Sequence, residues 1–364
     1  MIQAPADQQG PGLQQESLLT VHQFPRDMIA LLRCHQDAGE LAVIKELRGG
    51  DLGILDAILS CKSCGAEFRI EDGIACLLPN QLRPEDEHEM SIRDTIDYAF
   101  SNPGPFIPPP EGWRSVLSDR LEIPPHLDGL QCSTSNTVLE LACGDGRFTT
   151  LIAATGARVL AVDFSINALR LLAHRLPPSA RVGRVHATIN QLQLAGRAFD
   201  RALTTTPLDS RDERMTMYRT IAHALTDDGR YVASVEHDDA NRRLLGLPLT
   251  RRYSRNGILI EHLTAASMRR EVAPYFSELR TRPIRPRVPF VAKLPRSLAF
   301  PTLRLIAALP IVRQFGELLL LVAERPARLP VEGEYRSGSR VAKNIYKSYM
   351  RSKDREPSWG EESV

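Results

Sequence analysis

A strand that ends on a carboxylate and breaks at once into small residues leaves a chain few ways to fold. In Val138-Leu-Glu-Leu-Ala-Cys-Gly-Asp-Gly146, an apolar run carrying Glu140 gives way to Ala142, Cys143, Gly144, Asp145 and Gly146 before a helical pattern begins. A backbone without bulky side chains lets a ligand approach closely while the following helix packs back on the strand. Such a turn is a contact surface at the carboxyl end of a strand, where open α/β sheets bind ligands.

The surrounding sequence agrees. Val138–Leu141, Val159–Val162, Val182–Val185, Phe199–Leu203 and Arg230–Val235 read as strands, separated by amphipathic segments. Thr149–Thr155, Asn167–Arg175 and Arg214–Leu225 read as helices. This alternation predicts a parallel sheet covered on both faces, a Rossmann-like, doubly wound α/β fold. Leu259–Leu263, Ala273–Leu279 and Leu318–Val322 are expected to complete the sheet after an insertion that includes the proline- and arginine-rich Arg280–Arg296. Seventeen residues beyond Gly146, Asp163 closes the second strand, where a carboxylate can accept hydrogen bonds from two ribose hydroxyls. A dinucleotide fold asks for G-x-G-x-x-G, whereas this loop reads E-x-A-x-G-x-G and lacks the third glycine. A ribose-bearing cofactor other than NAD is indicated.

At these residues, over roughly Asn136–Glu236, the sequence resembles the class I S-adenosylmethionine (SAM) dependent methyltransferases. Their first motif is an acid followed by alternating small residues, and their second is a lone acid ending strand two. The resemblance implies SAM, with the backbone of Ala142, Cys143, Gly144 and Gly146 under its methionine part, Glu140 near its amino group and Asp163 on its ribose. Phe164, Ser165, Thr188 and Ile189 would lie along the adenine, and Thr205, after the fourth strand, completes the set. Two positions depart from the family pattern: Ala142 replaces a usual glycine, and Thr188 stands where many members carry an aspartate.

Methyl transfer requires alignment of a nucleophile and exclusion of water, with a base only where the acceptor is protonated. The loop Thr204-Thr-Thr-Pro-Leu-Asp209 is neither the N-P-P-Y motif of amino-group methylation nor a carrier of a nucleophilic cysteine. Transfer to an oxygen or nitrogen of a small molecule is the expectation: a natural product, a sugar or a lipid-linked intermediate. Asp209 and His237 are the candidate bases on the rim. The alternatives are a ribosomal RNA or tRNA base methyltransferase and, from another class, a non-catalytic SAM-binding or zinc docking partner. Arg280, Arg282, Arg285 and Arg287, with the tail Arg336, Arg340, Lys343, Lys347, Arg351 and Lys353, are the residues that would track phosphates. The same tail and the apolar Leu298–Leu309 segment would also suit peripheral contact with a membrane.

Ahead of this domain, Cys61-Lys-Ser-Cys64 has the spacing by which two thiolates of one turn reach a tetrahedral zinc. Leu32-Arg-Cys34-His-Gln-Asp37 stands where a second knuckle belongs, and β-like runs at Leu41–Ile44, Phe68–Ile70 and Ile74–Leu78 surround the pair. The run from Cys61 to Ile74, followed by Leu77-Leu-Pro79, resembles the Trm112-like zinc-ribbon family. The resemblance implies structural zinc on Cys34, Cys61, Cys64 and either Asp37 or His35.

A chain of 364 residues, 43% apolar and 25% charged, has room for two folded units with linkers. The expected division is a disordered lead-in at 1–27, the β-rich module at 28–80, a helical and proline-rich linker at 81–135, the α/β domain at 136–328 and a basic, flexible tail at 329–364. Six sparse cysteines and no signal-like N-terminus suggest a reducing, cytoplasmic setting. A net charge of +2 selects no partner, and oligomeric state is not legible.

Overall fold

A computed structural model describes residues 22–79, 113–205, 211–238, 240–247, 250–252, 259–286 and 294–328, with parts of 81–90. Five strands form the expected parallel centre: β6 (Thr137–Leu141), β7 (Arg158–Asp163), β8 (Val182–His186), β10 (Phe199–Thr205) and β11 (Leu225–Glu236). All five residues of β6 are buried, as a strand covered on both faces requires. Its alternation splits the interior. Leu139 and Leu141 enter one apolar cluster, while Val138 enters the other on the opposite face. Helices α2 (Thr149–Ala153), α3 (Ile166–Arg175) and α4 (Arg211–Ala224) follow the expected segments. Ser165 caps α3 by accepting from the Ala168 amide.

The chain runs β6, β7, β8 outward in one direction and then β10, β11 in the other, so the order reverses between β6 and β10. Beyond β11 lie two antiparallel strands, β15 (Gly316–Pro326) and then β14 (Phe276–Pro286) at the edge. Strand β14 absorbs Arg280–Pro286, which the sequence reading assigned to the insertion. An edge strand tolerates Pro283 and Pro286 because a proline without an N–H removes only a ladder bond that an edge can do without. Leu259–Glu261 stays off the main sheet and pairs only with Thr250–Arg252; of the expected Leu259–Leu263 strand, Leu263 reaches the sheet end through a bridge to His237.

At the other edge the sheet does not stop. The N-terminal strands β2 (Leu41–Gly50), β3 (Gly53–Cys61), β4 (Glu67–Glu71) and β5 (Ile74–Cys76) form an antiparallel meander, and β5 pairs in parallel with β8. The result is one eleven-stranded sheet. A second tie joins β1 (Leu32–Arg33) to β9 (Gln193–Leu194). Beneath the junction Arg184 is buried with no ion-pairing carboxylate among the described residues, donating to the carbonyls of Leu169 (3.1 Å), His22 (2.6 Å) and Asp72 (2.9 Å). Burial depresses its pKa to about 10, and it depresses that of the adjoining His22 to about 4.

Residues 113–130, within the expected linker, form helix α1 (Trp113–Leu130) packed on β11, β14 and β15 despite Pro124 and Pro125. Glu122, His126 and Leu130 are buried along it. Residues 91–112 of the expected helical and proline-rich linker, and residues 329–364 of the expected tail, lie outside the described residues. Among the described residues no helix is long and apolar enough to cross a membrane.

Gly73 closes the module against Arg184 with φ +72°, and a Cβ there would stand 2.4 Å from the His22 carbonyl and 2.8 Å from the Arg184 guanidinium. Gly73→Ala is expected to lower stability by roughly 2–4 kcal/mol in thermal or denaturant unfolding. Gly246→Ala, at φ +60° with open space around it, should lose only about 1 kcal/mol. Equal losses in the two variants would show that the junction is not packed as described.

Candidate functional site

The reversal between β6 and β10 opens a cleft of about 430 Å³ at the carboxyl ends of the strands, within the size range of small-molecule sites. Its floor is the small-residue turn. Ala142 takes φ +54°, Gly144 +55° and Gly146 +87°, so the backbone curls through the left-handed region three times. Ala142 therefore holds a conformation that suits glycine, the residue usual at that position in the resembling family, at a cost of about 1 kcal/mol. A Cβ on Gly144 would meet nothing, and that open space is what a close ligand needs. A Cβ on Gly146 would meet Leu172 Cδ1 at 2.2 Å, so that glycine lets helix α3 pack against the turn.

Asp163 braces this turn from β7. One carboxylate oxygen accepts from the Gly144 amide at 2.7 Å and the other from the Ser165 amide at 2.9 Å. Glu140 is fully enclosed, with Oε2 accepting from the Thr149 hydroxyl at 2.7 Å. Burial pushes its pKa up to about 8, outweighing that hydrogen bond and the nearby Arg147. The Cys143 side chain turns away into the core with Phe148 and Leu172, so only its backbone can serve a ligand.

Thr205 lines the cleft wall opposite the turn. Phe164 gives its carbonyl to His186 Nε2 at 3.0 Å, and the Ser165 hydroxyl is engaged as the α3 cap. Thr188 and Ile189 are buried after β8, with the Thr188 hydroxyl donating to Gln191 Oε1 at 3.2 Å. His237 is buried just beyond β11 and pairs its Nδ1 with the Gly316 carbonyl at 2.8 Å, an arrangement that requires the proton on Nδ1. Asp209 lies outside the described residues.

The cleft also has a charged roof that sequence reading missed. From α1, Asp119 accepts from Arg147 at 2.8 Å, and Glu122 is bonded both to Arg147 and, at 2.9 Å, to Arg285 of β14. Arg285 also lies 3.5 Å from Glu317. Burial alone would push the Glu122 carboxyl up, but the two guanidiniums outweigh it and hold it below the usual range. Nothing in local spacing announces this network, since Glu122 and Arg285 stand 163 residues apart. Arg280 is likewise paired, with Glu324 at 2.7 Å. Two cations of the run considered for phosphates are thus engaged internally, and Arg287 lies outside the described residues.

In the N-terminal module, the ligand atoms of Cys34, Asp37, Cys61 and Cys64 lie within 4.8 Å of one another. Cys34 Sγ stands 3.7 Å from Cys64 Sγ, and Cys61 Sγ 3.3 Å from Asp37 Oδ1. Four thiolates or carboxylates around a tetrahedral zinc would stand about 3.3–3.8 Å apart, given Zn–S near 2.3 Å and Zn–O near 2.0 Å. Amides of Gln36 and Ser63 point at the sulfurs of Cys34 and Cys61, both at 3.4 Å. A Cβ on Gly39 would intrude to 2.6 Å from Cys61 Sγ. His35 is outside the cluster, packed edge-on against Phe68 with ring centroids 5.4 Å apart.

Because folded Glu140 keeps its proton to about pH 8 and the unfolded chain releases it near 4.5, stability falls as pH rises through that window and levels off above it. Glu140→Gln cannot ionise. Melting temperatures at about pH 5, 7 and 9 should show the variant gaining on the wild type as pH rises. A constant offset would mean that Glu140 is charged in the folded protein.

Residues 138–229 match the methyltransferase domain family. A sequence search against curated proteins finds no match. The chain is similar to a solved putative S-adenosylmethionine dependent methyltransferase from Listeria monocytogenes, at 18% identity over 59% of this chain and 99% of that one, with a TM-score of 0.43. It is also similar to the Burkholderia thailandensis 1,6-didemethyltoxoflavin-N1-methyltransferase, at 17% identity over 78% and 99%, TM-score 0.41. A third is the Haloferax volcanii complex of the Trm112 methyltransferase activator and a putative methyltransferase, at 15% identity over 68% and 100%, TM-score 0.42. The family match runs from β6 into β11 and includes the small-residue turn itself, so residues 138–229 carry a methyltransferase domain within an α/β fold.

Proposed function

We propose that the protein transfers a methyl group from SAM to an oxygen or nitrogen of a small molecule. The observation that carries the reading is the turn at the end of β6, open above Gly144 and braced by Asp163. The residues present suit the cofactor: a close backbone floor, a carboxylate at the second strand end, and a buried acid facing a cationic ligand. Ala142–Gly146 would underlie the methionine part, Asp163 would take the ribose hydroxyls, and Glu140 would lie near the amino group. Phe164 and Ile189 would line the adenine by contact, with Ser165 and Thr188 contributing backbone because their hydroxyls are engaged.

When bound, SAM supplies an electrophilic methyl group on a sulfonium, whose sulfur leaves as a neutral thioether. The protein's share is alignment and dryness. The roof of Asp119, Glu122, Arg147 and Arg285 closes the cleft with charges that satisfy one another. His237, held through Nδ1 by the Gly316 carbonyl, is one candidate base for a hydroxyl or ammonium acceptor. Asp209 is the second candidate base. The engagement of Arg280 and Arg285 in ion pairs favours a small acceptor over RNA.

Titration calorimetry of the wild type should give saturable SAM binding, weakened at least about tenfold in Asp163→Ala for loss of a charged hydrogen-bond acceptor. Absence of binding by the wild type would sink the reading.

We further propose that Cys34, Asp37, Cys61 and Cys64 hold a structural zinc, with Asp37 rather than His35 as fourth ligand. Elemental analysis of purified protein should find about one zinc per chain. Asp37→Ala should lose it readily to a chelator and His35→Ala should retain it. The opposite ranking would transfer the role to His35.

A further inference from the structure

Two apolar segments leave the sheet together at the end that carries the cleft. One is α5 (Ala240–Leu244) and its turn, which begins just after His237 at the end of β11. The other is α7 (Arg296–Ala308) with α8 (Pro310–Arg313), which leads into Gly316 at the start of β15. The contact between His237 and the Gly316 carbonyl joins these two points.

Both segments present aliphatic side chains to solvent. On α7 and α8, Leu298 is 57% exposed, Leu305 72%, Leu309 48% and Ile311 73%; on the α5 turn, Leu244 is 80% and Leu245 71% exposed. Positions 298 and 305 share one helical face, at i and i+7, while Ala299 and Leu303 of the same helix are buried; Leu309 follows in the extended link to α8. This is an outward-facing apolar stripe, larger than scattered surface leucines require.

Both segments are rich in cations in sequence, and Asp238, just ahead of α5, pairs with two of them, Arg242 at 3.9 Å and Arg243 at 3.1 Å. From Arg287 to Gly316 the sequence holds five lysines and arginines and no acid, and from Ala240 to Ile260 it holds five arginines and no acid. A protein partner of ordinary composition would not ask for a long acid-free frame; a surface of anionic headgroups over acyl chains asks for cations beside exposed leucines. The segments are too short and too interrupted to cross a bilayer, so the contact would be at the boundary. The arginine-on-ring contact of Arg120 with Phe300, 4.8 Å from its centroid, fixes α7 to α1, whose Asp119 and Glu122 roof the cleft.

We propose that α7, α8 and the α5 turn form a surface that docks on an anionic membrane, seating it beside the cofactor cleft. The inference does not depend on methyl transfer and is tested without it. Full-length protein is floated with vesicles of phosphatidylcholine alone and of phosphatidylcholine with about a third phosphatidylglycerol. Binding to the anionic vesicles should exceed binding to the neutral ones by at least about tenfold, and should weaken at about 0.5 M salt. The triple variant Leu298→Glu, Leu305→Glu, Ile311→Glu should lose at least about tenfold in anionic-vesicle binding while keeping its melting temperature and SAM affinity. Failure of the wild type to bind would overturn the proposal. So would binding that survives the triple variant and disappears on removal of residues 329–364, or a concentration-dependent dimer in light scattering that the triple variant abolishes, which would assign the face to a second copy.

Discussion

The parallel pairing of β5 with β8 is the interaction on which the architecture turns. It converts the exposed edge of a doubly wound sheet into an interior position and makes the cysteine-bearing meander a continuation of the same hydrogen-bonded body. A small module of this size has little core of its own. Here Phe24, Met28 and Leu59 share one apolar cluster with Leu139, Leu160 and Val185 of the α/β sheet. Arg184 seals the seam by giving its protons to carbonyls from both sides. A buried guanidinium with no carboxylate is costly unless such acceptors stay in place, so the joint resists sliding as well as separation.

That joint also decides what lies near the cysteine cluster. His35 and Gln36 face Asn190, Gln191 and Gln193 across a cavity of about 570 Å³. Asn190 and Gln191 belong to the loop after β8, which also carries Thr188 and Ile189, and Gln193 begins β9. The cysteine cluster and the loop after β8 are therefore tied to one sheet, through β5, β8 and the β1–β9 pair.

How far the sequence could be read follows from where the physical signal is local. The turn at Ala142–Gly146, Asp163 and the strands around them obey short-range rules, and the structure places them at one end of the sheet as expected. Spacing marked Cys61 and Cys64, and the family resemblance added Cys34 with Asp37 or His35; the choice between the last two depended on which way a side chain turned, and His35 packs on Phe68. Helix α1 was hidden by Pro124 and Pro125, which break helical patterns in a sequence although the packed helix accommodates them. Strand β14 was hidden by its prolines and arginines, acceptable only because it lies at an edge. The roof was illegible because it needs α1, the turn and β14 brought together from distant parts of the chain.

The roof and floor of the cleft divide the electrostatic work. Arg147 and Arg285 are the cations lining it, and each is matched by an acid from outside the cofactor turn: Asp119 and Glu122 for the first, Glu122 and Glu317 for the second. Had they faced the floor unpaired, they would have neutralised Glu140 and Asp163 and repelled a sulfonium. With the guanidiniums engaged above, the floor keeps Asp163 braced by two amides and Glu140 enclosed with only the Thr149 hydroxyl. Burial favours the protonated, neutral form of this enclosed carboxyl. The floor can thus be buried without carrying an uncompensated charge. That combination follows from placing one acid inside the strand and the arginines in the hands of α1.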